Sequence, residues 1–180
     1  MSRVPPQPHP SRITPFAGHP IVVGVTPEQP ELVTLTAVQL ARDLGVGIFF
    51  GYADPGRVVE REFPDGRVQH ADLDPDLSDD EQWRRREAQL TRALAQTLTG
   101  SGVSWEFRYL AGRADRALTH LARAVDAAVI VVGTHRPGGG GRMHELLQGA
   151  VGTHLAHHQH RPVLVVPTEV VDWKTPLQWR

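Results

Sequence analysis

The chain of 180 residues is about one domain long, enough to bury a single substantial core, and its 19 basic and 20 acidic side chains leave a net charge of −1. No global field therefore draws it to nucleic acid or to an anionic membrane, and the lack of any cysteine excludes a disulfide framework, a thiolate metal site and a cysteine nucleophile. The opening MSRVPPQPHPSR has no apolar signal core and no run of about eighteen apolar residues occurs, so a soluble, cytoplasmic protein is expected.

Residues 1–19 hold five prolines and little to bury, and read as an extended arm. IVVGV at 21–25 is a continuous apolar run of strand length, the pattern of a parallel strand covered on both faces. TPEQP then breaks the chain. Over 31–44 the apolar positions Val33, Ala37, Leu40, Ala41 and Leu44 fall on one helical stripe, and Gly45 stands where a glycine ends a helix. VGIFFGYA at 46–53 predicts the second strand. An insertion follows at about 54–77, in which RVVEREF and RVQHADL flank Pro64-Asp65-Gly66 and predict an exposed hairpin.

Ser78 with Glu81 forms a capping box, opening a helix with Leu90, Leu94 and Leu98 on one side. Its Arg84-Arg85-Arg86 run has acidic neighbours Asp79, Asp80, Glu81 and Glu87, which favour a solvated helix face over a nucleic-acid patch. VSWEFRYL at 103–110 alternates as a third strand. Ala114, Ala117, Leu118, Leu121, Ala122 and Val125 then repeat at helical spacing, and AAVIVVG at 127–133 is the fourth strand. After VVGTHRPGGGGRMHELLQGA at 131–150, Leu147, Ala150, Val151, His154, Leu155 and His158 line one side of a helix, and residues 162–167 supply a fifth strand. This alternation of strands and helices predicts an α/β fold with a parallel, doubly wound sheet, whose ligands bind beyond the carboxyl ends of the strands where strand order reverses. Thr26, Tyr52 and the four-glycine loop all stand at such ends. The loop reads either as a phosphate cradle, with backbone N–H groups and a helix N-terminus facing an anion, or as a flexible surface connection.

Three stretches together resemble the universal stress protein family: PIVVGVTPEQPELVTLTAVQLA, GRADRALTHLARAVDAAVIVVGTHRPGGGG and LLQGAVGTHLAHHQHRPVLVVP. The resemblance covers about residues 20–167 and places one domain at 20–168 between the proline-rich arm and a C-terminal arm at 169–180. It implies a three-layer sandwich around a five-stranded parallel sheet of order 3-2-1-4-5, like that of the adenine nucleotide α-hydrolases, and a homodimer through the last strand, residues 162–167. Some members bind ATP through G-x2-G-x9-G-[S/T] and an aspartate closing the first strand; others lack the motif and do not.

The corresponding positions here are Thr26, Tyr52, Gly133, Gly139, Gly149, Ala150 and Val151, a degenerate nucleotide site. Gly139 and Gly149 keep the nine-residue separation, but Gly133 to Gly139 encloses five residues instead of two. Ala150 replaces the hydroxyl that follows the last glycine, and Thr26 replaces the aspartate. Tyr52 replaces a commonly small aliphatic residue beside the adenine, where it can stack on a base or fill the pocket. The resemblance thus implies a regulatory or scaffold dimer in the stress response, with an unidentified protein partner and weak or no ATP binding. The alternative is an ATP-binding, nucleotide-dependent switch.

Six of the ten histidines lie between His135 and His160, and the i, i+3, i+4 spacing of His154, His157 and His158 can turn imidazoles toward one metal, giving a third reading as a metal-responsive module. No carboxylate or cysteine nearby completes a ligand set, so no metal site is assigned. His144-Glu145-Leu146-Leu147-Gln148 misses the zincin pattern at its last residue, and neither a serine-hydrolase elbow nor a P-loop occurs. No catalytic residue is therefore assigned. Trp173 and Trp179 in the C-terminal arm need a surface to cover them, which favours assembly.

Overall fold

The apolar runs become parallel strands in the computed structural model, which describes residues 9–27, 29–74, 80–134 and 151–168. The strands are β1 (Ile21–Gly24), β2 (Ile48–Asp54), β5 (Trp105–Ala111), β6 (Val129–Gly133) and β7 (Val163–Val166), and they lie in the order β5-β2-β1-β6-β7. Counted without the inserted hairpin this is 3-2-1-4-5, as expected, and every neighbouring pair is parallel.

A strand in the middle of such a sheet must be apolar on both faces, because both are covered. Ile21 and Val23 pack with Phe50, Val129 and Val131 beneath α1 (Glu31–Leu44) and α2 (Asp80–Leu98). Val22 packs on the opposite face with Ile130 and Val132 beneath α3 (Ala114–Ala124) and α4 (Val151–His158). The result is three layers. Helix α1 buries the stripe Val33, Ala37 and Ala41, and ends where Gly45 takes φ 67°, its N–H bonding the carbonyls of Ala41 and Arg42. Leu90, Leu94 and Leu98 form the buried stripe of α2. Among the described residues no helix is long and apolar enough to cross a membrane.

The inserted hairpin is present as β3 (Arg57–Glu62) and β4 (Val68–Asp72), paired antiparallel. Two expectations about it are corrected. Asp54 belongs to β2 rather than to the insertion, because the β2–β5 ladder runs on through the pairing of Asp54 with Ala111. Nor is the hairpin simply exposed: Val58 and Val59 face solvent, but Gly66 in the turn is buried against α3, where an added Cβ would lie 2.5 Å from Leu121 Cδ1. The hairpin lies beside β5 and covers that edge of the sheet.

At the opposite end, Arg161 is buried and donates through Nε to the Ala127 carbonyl at 2.6 Å and through Nη2 to Asp126 at 3.2 Å, tying the entry of β7 to the exit of α3. The described part of the N-terminal arm forms one 3-10 turn at Pro10–Arg12 with no buried residue, and His19 Nδ1 stands 3.0 Å from the Asp126 carbonyl. The Ser78 cap, most of the glycine loop, Trp173 and Trp179 lie outside the described residues.

Candidate functional site

Strand β1 is central. The chain passes from it to β2 and β5 on one side and to β6 and β7 on the other, so the connections part between β1 and β6 and leave a crevice beyond their carboxyl ends. On the β1 side, Pro27 and Pro30 hold a tight turn before α1. Within it Gln29 Oε1 accepts from the Thr26 N–H at 3.0 Å and from the Thr26 hydroxyl at 3.4 Å, while the Gln29 N–H returns to the Thr26 carbonyl at 3.3 Å. The amide nitrogen Nε2 of Gln29 is buried without a partner.

Gly133 closes the other side. A Cβ there would lie 2.9 Å from Thr168 Cγ2, 3.0 Å from Val33 Cγ2 and 3.7 Å from Gln29 Nε2, so close approach of α1 and the β7 exit requires glycine. Just beyond, the Thr168 N–H donates to Thr134 Oγ1 at 2.8 Å and the Thr168 hydroxyl to the Thr134 carbonyl at 2.7 Å, which locks the two strand exits together. The structure therefore brings Thr26 and Gly133 to one crevice, about Gln29. Val151 is the first described residue of α4, and Gly139, Gly149 and Ala150 lie outside the described residues. The described polar groups of this crevice are uncharged: they can hydrogen-bond a ligand but supply no carboxylate.

Tyr52 stands on the neighbouring strand β2, one residue past the Gly24–Gly51 pairing and in one core cluster with Val25 and Val33, and is only 5% exposed. Its ring meets Tyr109, its partner in the β2–β5 ladder, edge-to-face at 5.3 Å. Its hydroxyl accepts from Arg86 Nη1 at 3.1 Å, and the guanidinium carbon lies 5.8 Å from the ring centre. Asp54, two residues on and so on the same face, is 7% exposed. A buried carboxylate costs several kcal/mol unless donors surround it. Here the Tyr109 hydroxyl donates at 2.5 Å and the Gly56 N–H at 2.9 Å, with Arg86 Nη1 at 3.6 Å. A hydrogen bond to a charged group of this kind contributes about 1.5–3 kcal/mol.

The hairpin completes this cluster. Arg57 Nε donates to His70 Nδ1 at 2.6 Å, and its Nη1 pairs with Asp72. The His70 ring stands edge-on to Trp83 of α2 at 4.8 Å, and Trp83 lies 5.7 Å from Tyr109. Burial raises the pKa of both tyrosines: Asp54 adds to the shift of Tyr52, which Arg86 opposes, and the hydrogen bond to Asp54 adds to that of Tyr109. Burial, then the charge of Arg57, lowers that of His70.

The sequence did not reveal this assembly, and one reading is corrected by it. Arg84 and Arg85 are exposed as expected, Arg84 over Trp83 at 5.1 Å and Arg85 3.6 Å from Glu81, and the correction concerns Arg86, which turns to Tyr52 and Asp54. A groove of about 280 Å³ between α1 and the end of α2, lined by Leu35, Val38, Arg42, Thr97 and Ser101, lies toward the amino ends of the strands and away from both clusters. Among the described residues no three histidine, aspartate or glutamate side chains converge as a metal site.

Residues 18–167 match the model of the universal stress protein family. No curated protein matches the chain in sequence. Among solved structures, universal stress protein UspA from Lactobacillus plantarum is 18% identical with a TM-score of 0.58, over 83% of this chain and 98% of that one. The universal stress protein from Archaeoglobus fulgidus in complex with dAMP is 21% identical with a TM-score of 0.55, over 82% of this chain and 97% of that one. A universal stress protein in complex with cAMP is 22% identical with a TM-score of 0.55, over 85% and 99%. At these identities the likeness is one of fold.

Proposed function

The chain belongs to the universal stress protein family, and from that premise we propose that it is a regulatory or scaffold dimer of the stress response, with a degenerate nucleotide site that binds ATP weakly or not at all. Tyr52 carries this reading. At the position where the resemblance puts a small aliphatic residue beside adenine, the chain has a phenol ring that is buried and held by Arg86 and Tyr109. A ring fixed in this way fills space rather than offering a free stacking face. Thr26 adds to the loss, since its hydroxyl is turned to Gln29 and no carboxylate stands in its place.

The dimer is supported by β7. It ends the sheet, and Val165 on it is 45% exposed, an apolar edge that a second copy can pair and cover.

One observation favours the second reading, a nucleotide-dependent switch. Gln29 Nε2 is a buried donor without a partner beside Gly133, at the place where doubly wound folds hold their ligands, and two of the similar proteins were solved with dAMP and cAMP. Equilibrium titration with ATP and magnesium separates the two readings. A degenerate site gives a dissociation constant in the high micromolar to millimolar range, about −4 to −6 kcal/mol, and a switch binds in the low micromolar range.

A further inference from the structure

On the face that packs against Trp83 and Tyr109, the two strands of the hairpin are joined by a contact that requires a neutral histidine. His70 Nδ1 accepts the Arg57 Nε–H at 2.6 Å, so this imidazole nitrogen carries no proton and the ring is uncharged. Protonation converts the acceptor into a donor and sets two cations face to face at hydrogen-bonding distance. Arg57, only 5% exposed, has no room to swing away into water.

Groups from every neighbouring element face this pair. Asp72 on β4 is already engaged by Arg57 Nη1, and Asp54 on β2 by the Tyr109 hydroxyl and the Gly56 N–H. Tyr109 on β5 lies 5.4 Å from the His70 ring, and from α2 come Trp83, edge-on to it, with Arg84 over the Trp83 ring and Arg86 over Tyr52. The two carboxylates are committed, and the other charged neighbours are cations.

We propose that residues 57–72 form an acid-sensitive latch: when His70 takes up a proton, the Arg57–His70 contact breaks and the hairpin loosens from Trp83 and Tyr109 at the carboxyl end of the sheet. The other fastenings, Gly66 on Leu121 and Glu62 against His120 Nδ1 of α3 at 3.2 Å, do not pass through the Arg57–His70 contact, so the hairpin opens at its base while its tip stays near α3. Burial and the Arg57 charge hold the His70 pKa below its ordinary 6.5 against the opposing pull of Asp54, a backbone hydrogen bond and Asp72, so the latch is closed at neutral pH and opens only below the ordinary histidine range.

Hydrogen exchange of the full-length chain tests this between about pH 7.5 and about pH 5, corrected for the intrinsic pH dependence of exchange. In the wild type, protection of residues 57–72 should fall several-fold in acid while residues 21–24 of β1 keep theirs. In His70→Gln, whose amide oxygen can still accept from Arg57, the hairpin should stay protected throughout; His19→Gln should loosen as the wild type does. Equal loosening in His70→Gln, or none in the wild type, overturns the proposal. Should His70→Gln fail to fold at neutral pH, an NMR titration of the wild type decides: hairpin amides that shift with the midpoint of the His70 ring support the latch, and a different midpoint overturns it.

Discussion

Arg86 on α2 donates to the hydroxyl of Tyr52 on β2 across 3.1 Å and places its guanidinium 5.8 Å from the ring centre, so one side chain holds both the polar and the aromatic part of the residue beside the proposed nucleoside position. Tyr52→Val removes the ring, leaves a cavity and strands the Arg86 contact. Large-to-small changes at such sites cost about 2–4 kcal/mol. Urea unfolding should show that loss, and the variant should bind adenosine more tightly than the wild type does. Unchanged adenosine binding in a folded variant would mean that the ring does not obstruct the site.

The chain has just two tyrosines, Tyr52 and Tyr109, and both have raised pKa values in the folded state. The unfolded chain loses these protons first as pH rises, so their contribution to stability is intact below the ordinary phenol value near 10 and declines above it. An alkaline titration followed by tyrosinate absorbance should therefore show little ionisation until the protein unfolds, with both groups appearing together. A phenol titrating near 10 in the folded protein would contradict the buried cluster.

Gly66 takes φ +80° in the hairpin turn, and a Cβ there would meet Leu121 at 2.5 Å. Gly66→Ala must accept a strained backbone and push the tip off α3, at a cost of about 1–3 kcal/mol. Hydrogen exchange should localise the loss to residues 57–72 rather than to β1.

The fold was legible because its signals are local. A strand buried on both faces must be an apolar run, as at residues 21–24, and a helix stopped by a left-handed residue favours glycine, as at Gly45. Pro64-Asp65-Gly66 announced the hairpin turn, but not that its tip would be buried. The cluster at Tyr52 left no comparable mark. Its members come from β2, β3, β4, α2 and β5, and their meeting depends on a register, Tyr52 beside Tyr109, and on where an insertion folds back. Asp79, Asp80, Glu81 and Glu87 made the arginine run look solvated, although helical geometry sends Arg86 to a different side from Arg85. The one usable hint was Tyr52-Ala53-Asp54, where period-two alternation sends the phenol and the carboxylate to one face.

For the proposed dimer, Val165→Lys places a charge on the exposed side of β7 without emptying the core. Sedimentation at micromolar concentration should find the wild type dimeric and the variant shifted toward monomer, with circular dichroism confirming that it stays folded. A wild type that sediments only as monomer would remove the dimer from the account.

The central claim, that side-chain ligands of the nucleotide site have been lost, is tested most directly by calorimetric titration of the unmodified chain and of Thr26→Asp with Ala150→Ser against ATP and magnesium. The wild type should bind no tighter than high micromolar, and each restored group should add about 0.5–1.5 kcal/mol through one regained hydrogen bond. Full recovery is not expected, because the longer spacing between Gly133 and Gly139 leaves more loop to order on phosphate. A low-micromolar dissociation constant for the unmodified chain would contradict the claim, and the backbone N–H groups of the glycine loop would then have to hold the phosphates unaided.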